Sequence, residues 1–247
     1  MKVVPSTSPT AKQACPSPQT TEEARPSYAF VMNAEALREP GSYQLIEGHQ
    51  LRRATPEEIA EIKETLAKLG GFNHYLVRHL WERRWPRTGR LTLLAETDWR
   101  YFVVAFTGIN GALAGLQNAF DLATAELEIA FTIMHSSRGG FGAGGSSGFG
   151  WDAPRLFEAL QRSQHDDAFF EEIDDAKAAE ISTICKQLRS TDDAQLKQRI
   201  AQFGHLKGMP YNSPLRVLGY FAILESLLTH HPKPTDPYDS ITGPSGF

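Results

Sequence analysis

The chain has 247 residues, 41% of them hydrophobic and 22% charged, which suits one large or two small globular domains with an adequate core. A net charge of −4 and a pI near 6.1 exclude a protein held on nucleic acid by its global charge, while leaving room for a local basic patch. Cys15 and Cys185 give neither a disulfide framework nor zinc-ligand spacing, no apolar run reaches the ~18–20 residues that span a bilayer, and MKVVPSTSPTAKQ lacks the apolar centre of a secretion signal. The expectation is a cytoplasmic protein without metal, cofactor or membrane partner.

Residues 1–27 hold five prolines and few large apolar side chains, too little to offset ordering entropy, and are expected to be a disordered tail. YAFVMN and SYQLIEG then read as short strands around the turn-prone EPGS. Thr55-Pro56-Glu57-Glu58 is a helix start: Thr55 at the N-cap, Pro56 at the first helical position, Glu58 closing a capping box. Ile59, Ile62, Leu66 and Leu69 share one face, and Gly70-Gly71 ends the helix. LTLLAE and DWRYFVVAF read as strands, the second too apolar for an exposed edge. From Ile109 to His135 the Ala- and Leu-rich pattern predicts one long helix.

Seven of the twelve residues from Gly139 to Gly150 are glycine, so 136–150 is expected to be a loop or linker. It matches both G-x-G-x-x-G and G-x-S-x-G, but without the strand–turn–helix context that either chemistry requires. Beyond it the chain reads as helices only. Caps are offered by Asp152, by Asp166 or Asp167, by Asp192 or Asp193, and by Ser213 before Pro214. Residues 214–231 are apolar almost all round, as in a buried central helix, with the one carboxylate Glu225 inside the pattern. Residues 232–247 read as an irregular tail.

Three groups of residues bear on function. Arg78, Arg83 and Arg84 alternate with Trp81 and Trp85, the charge and flat faces that single-stranded nucleic acid needs; the plain alternative is a solvated arginine face whose tryptophans pack inward. Arg199 and His205 could act on RNA, the histidine as acid or base towards a 2′-hydroxyl and the arginine on the charged phosphorane, although this spacing is common by chance. Glu225, if buried, must be paired or neutralised, and a structural tie is the simpler reading. His74 and His79 are five residues apart, about 140° on a helix, and do not share a metal-binding face.

LRRATPEEIAEIK, DWRYFVVAF with the helix after it, and RVLGYFAILESLLTHHPKPTDPYDSI together resemble bacterial proteins with an Apea-like HEPN domain. The resemblance implies a small all-helical bundle, often dimeric, in proteins many of which are ribonucleases of phage defence or toxin–antitoxin systems. It aligns Ile223-Leu224-Glu225-Ser226-Leu227-Leu228 with the family's aliphatic-Glu-aliphatic helix, where Glu225 would orient partners in the bundle core. The family's arginine-then-histidine signature lies downstream of that helix, whereas Arg199 and His205 lie upstream. The chain ends at Phe247, where a further helix is expected, so the family's activity is expected to be impaired.

The fold class expected is α+β: a mixed region over 28–135 running into a long helix, then a mainly helical, HEPN-like and incomplete bundle over 151–231. The function expected is that of an RNA-targeting or defence protein, a metal-independent endoribonuclease if active, with RNA and a second copy as partners. The alternative is a non-catalytic protein that dimerises through the bundle.

Overall fold

Six consecutive buried residues, Ser27–Met32, form β1, and their side chains feed two cores at once. Ala29 and Val31 face one side of a sheet; Tyr28, Phe30 and Met32 face the other. A strand with both faces covered belongs in the interior of a sheet, and β1 lies there, between β7 and β8. The structure, a computed structural model, describes residues 26–38, 41–68, 74–84, 88–106, 112–124, 126–135, 153–163 and 170–229.

Five antiparallel strands make the main sheet: β1, β3 (Ser42–Ile46), β4 (His49–Arg53), β7 (Phe102–Phe106) and β8 (Glu128–Ile133), in the order β3-β4-β7-β1-β8. Two small ribbons accompany it. β2 (Ala34–Leu37) pairs in parallel with β9 (Glu171–Ile173), and β5 (Glu82–Arg84) pairs with β6 (Leu91–Leu93). DWRYFVVAF does supply an interior strand, as its apolarity predicts.

Helices cover both faces. On one side α1 (Pro56–Lys68) and α3 (Ala153–Ser163) bring Ile62, Leu66, Leu156, Ala159 and Leu160 against Tyr28, Phe30 and Phe131. On the other, α2 (Leu113–Ala123) and α4 (Asp175–Ser190) bring Leu116, Phe120, Ile181 and Cys185 against Val31, Leu45 and Val104. The start of α1 is the predicted capping box. The Glu58 amide donates to Thr55 Oγ1 at 3.3 Å, and the Thr55 amide donates to Glu58 Oε2 at 2.8 Å. The same carboxylate takes both Arg52 guanidinium nitrogens at 2.7 and 2.8 Å, tying helix to sheet.

The α+β class holds, and three expectations are corrected. The long helix stops at Ala123, and Glu128–Ile133 is a strand. Thr124 breaks it with extended backbone angles, donating from its hydroxyl to the Phe120 carbonyl and accepting from the Leu127 amide. The β-branched and aromatic side chains of EIAFTI then prefer the pleated, doubly buried position beside β1. The cap of α4 is Asp174, which accepts from the Lys177 amide at 2.8 Å, and β9 precedes it. Residues 151–231 are not one separate bundle, because α3 and α4 flank the sheet. Among the described α-helices, only α5 (Ala194–Leu206) and α6 (Pro214–Thr229) stand beyond that sandwich, packed on each other and, through α5, on α2. The N-terminal tail through residue 25, the glycine-rich segment 136–150 and the tail from 230 lie outside the described residues.

Candidate functional site

What fixes the α5–α6 pair to the sandwich is charge. Asp121 from the apolar face of α2, Glu128 from the start of β8, Arg155 from α3 and Lys207 from the C-cap of α5 meet in one buried cluster. Arg155 donates through Nη2 to Asp121 Oδ1 at 2.7 Å and to Glu128 Oε2 at 2.8 Å, and its Nε lies 2.7 Å from Glu128 Oε1. Lys207 Nζ donates to Asp121 Oδ1 at 2.8 Å and stands 3.9 Å from Glu128. Two carboxylates meet two cations, so the cluster is neutral as a whole.

Its two carboxylates are driven apart. Burial alone would push Asp121 up, but Lys207 and Arg155 hold it below the usual carboxylate range. For Glu128 burial prevails over the pull of Arg155, and its carboxyl is raised. Gly204 makes the close approach possible: a Cβ there would lie 3.0 Å from Asp121 Oδ2 and 3.1 Å from Arg155 Nη1. With its lone pairs spent on protein cations, the cluster is a structural joint. Among the described residues no group of three or more His, Cys, Asp or Glu side chains could hold a metal ion.

A second, smaller tie sets the start of α6. Arg216 is buried, lies 3.8 Å from Glu158 of α3, and donates to the Tyr220 hydroxyl and the Met209 carbonyl. Gly219 lets α6 close on α5, since a Cβ there would come 2.7 Å from Leu206 Cδ2. The remainder of α6 is where the structure departs furthest from its sequence. The helix expected to be central is peripheral, with Ile223 buried and Leu215, Val217, Leu218, Phe221, Leu224 and Leu228 exposed. Phe221 is 66% exposed and Leu228 81%. Val217, Phe221, Leu224 and Leu228 fall within about 60° of one another round the helix, and form a continuous apolar stripe.

Glu225 flanks that stripe and is exposed, so the buried carboxylate expected in a bundle core is corrected to a surface one. Arg199, half-buried, donates to Gln202 Oε1 at 3.0 Å; His205 is exposed in the last turn of α5, about 120° further round the helix. Among the described side chains, Arg78, Arg83 and Arg100 of the aromatic stretch are occupied within the fold. Arg78 grips Glu82 through Nε and Nη2 at 2.7 and 3.1 Å, and Arg83 pairs with Glu35. Arg100 is fully buried, 2.6 Å from Glu35, with its guanidinium stacked 3.9 Å from the Phe170 ring centre. Arg84 pairs with Leu91 on the β5–β6 ribbon, Trp81 is half-buried, and Trp85 lies outside the described residues.

Sequence reasoning missed Asp121, Glu128, Arg155 and Lys207. For Asp121 a signal existed: one carboxylate within the apolar arc of LQNAFDLA, the pattern that drew notice to Glu225. Lys207 offered none. No family model, no curated protein and no solved structure matches this chain. No helix among the described residues is long and apolar enough to cross a membrane.

Proposed function

We propose that the chain is a HEPN-like protein of the RNA-targeting or defence type whose working form is a homodimer assembled through α6. The observation that carries the assembly is the uncovered stripe of Val217, Phe221, Leu224 and Leu228. Its spacing of four, three and four residues is that of a seam between two helices, each apolar side chain seating between side chains of the facing helix. A second copy is the natural occupant, because a two-fold contact places a surface against itself, and an uncharged apolar stripe is its own complement. Dimerisation is also what the resemblance implies.

The chemistry implied by the resemblance is metal-independent RNA cleavage. In it Arg199 would stabilise the phosphorane, His205 would exchange the proton of the 2′-hydroxyl, and Glu225 would orient partners. A second reading, assembly without catalysis, is favoured by one observation: Arg199 is held by Gln202 and lies about 120° from His205 round α5.

Light scattering after size exclusion tests the assembly. The parent chain should run as a dimer at tens of micromolar and Leu224→Asp as a folded monomer; a monomeric parent would sink the proposal. RNA cleavage with EDTA present separates the two readings. Cleavage lost in both Arg199→Ala and His205→Ala supports the enzyme, while a dimeric parent that leaves RNA intact supports the interaction protein.

A further inference from the structure

On the α1 face, away from α6, lies a cavity of about 570 Å³. Leu66 of α1 and Val77 form its apolar walls, Trp81, Trp99 and Tyr101 supply three aromatic rings, and Lys63 lies at its rim. Volumes of ~300–1,000 Å³ lined by aromatic side chains with a few polar groups are typical of small-molecule sites. Two features give this cavity a chemical preference.

The first is Lys63. It is exposed, makes no ion pair among the described residues, and rests its ammonium 4.3 Å from the Trp99 ring centre and 5.7 Å from that of Tyr101. A cation already sits where an aromatic cage would take a ligand cation, so a second positive charge is disfavoured and a negative one would be met. The second is Tyr101. Its side chain is 1% exposed, and among the described residues its hydroxyl has no hydrogen-bond partner. Buried hydroxyls normally have one, so an unspent donor lies just behind the wall of this cavity, where a turn of the side chain brings it to a ligand.

We infer that this cavity binds a small planar aromatic acid, one or two fused rings bearing a carboxylate, with the rings among Trp81, Trp99 and Tyr101 and the carboxylate drawn to Lys63. The size of the space, the flat lining and the ammonium of Lys63 agree on that class. No bond is made or broken. The site shares no residue with α6 and stands whether or not the chain acts on RNA.

The test is titration calorimetry on the full chain with 2-naphthoate and its neutral counterpart 2-naphthamide. Naphthoate should bind saturably at one site, about tenfold more tightly than the amide. Lys63→Met, a change at an exposed position that leaves the fold intact, should bring the two affinities together. Tyr101→Phe should weaken naphthoate by several-fold, and Leu224→Asp should leave it unchanged. Three results would overturn the assignment: no saturable binding at millimolar naphthoate, a preference for the acid that survives Lys63→Met, or loss of binding in Leu224→Asp. Displacement of naphthoate by a short single-stranded RNA would replace the small acid with a nucleobase as occupant.

Discussion

Where the α5–α6 pair joins the rest of the fold this protein keeps four charges inside, and on the far side of the same pair it keeps a row of large apolar side chains outside. Lys207 at the end of α5 is buried with Asp121, Glu128 and Arg155, while α6, a few residues further on, presents Phe221 and Leu228 to solvent. Both arrangements invert the usual distribution, and they are stable for different reasons. The charges are tolerated because each finds a partner within hydrogen-bonding reach. The apolar stripe is tolerated because α6 needs only its opposite face, with Arg216, Gly219, Tyr220 and Ile223, to dock. One inversion is closed and complete; the other leaves a surface to be filled.

Removing a single member of the closed cluster should have the largest effect. Lys207→Met leaves Asp121 with one cation fewer in a site that excludes water, and should cost about 3–5 kcal/mol in urea unfolding. If the loss is below ~1 kcal/mol, water reaches the cluster and the joint is not sealed. Gly204→Ala pushes a methyl against Asp121 Oδ2 and Arg155 Nη1 and should cost about 1–3 kcal/mol by the same measurement.

Acid sharpens the comparison further. Asp121 has a folded pKa below its unfolded value, so its contribution is fully present above the ordinary carboxylate range and is lost as pH falls through the folded value. Asp121→Asn should be less stable than the parent at neutral pH, and the gap should narrow on acidification below about pH 4. Glu128, raised by burial, works in the opposite sense: its contribution is present below the ordinary range and is lost as pH rises through its folded value. A gap that widened in acid would contradict the assignment to Asp121. The smallest effect on the fold itself should come from the open side. Phe221→Ser should leave the unfolding free energy of the monomer within about 0.5 kcal/mol of the parent while abolishing self-association.

The elements that were legible were those whose signals are local. Thr55 and Glu58 announce the start of α1 within four residues, Asp193 caps α5 by accepting from the Leu196 amide, and Ser213-Pro214 opens α6. The unbroken apolar run YAFVM likewise suited a strand buried on both faces. What was not legible depended on distant chain. EIAFTI continues an Ala- and Leu-rich helix in its own window, and only the free edge of β1 makes it a strand. The exposed apolar residues of α6 read as a core helix because sequence records apolarity and not what lies opposite. The charge joint was hidden for the same reason, since its four members come from positions 121 to 207 and four different elements. The partner of Arg83, one of the arginines expected to face RNA, was hidden on the same ground: Glu35 lies far earlier in the chain.

The position of β1 has a consequence for how the chain is made. It is the first of the described strands to leave the ribosome, yet its two neighbours are β7 and β8, the latter ending at Ile133. About 100 residues must be synthesised after Met32 before both edges of β1 can be matched, an interval of about 5–20 s at typical elongation rates. During it the segment SYAFVM, apolar on both faces, has no native strand to join and is a template for pairing with a neighbouring nascent chain. Yield of the intact protein should therefore respond to chaperones that hold emerging segments, and slowing translation before residue 133 should lower it.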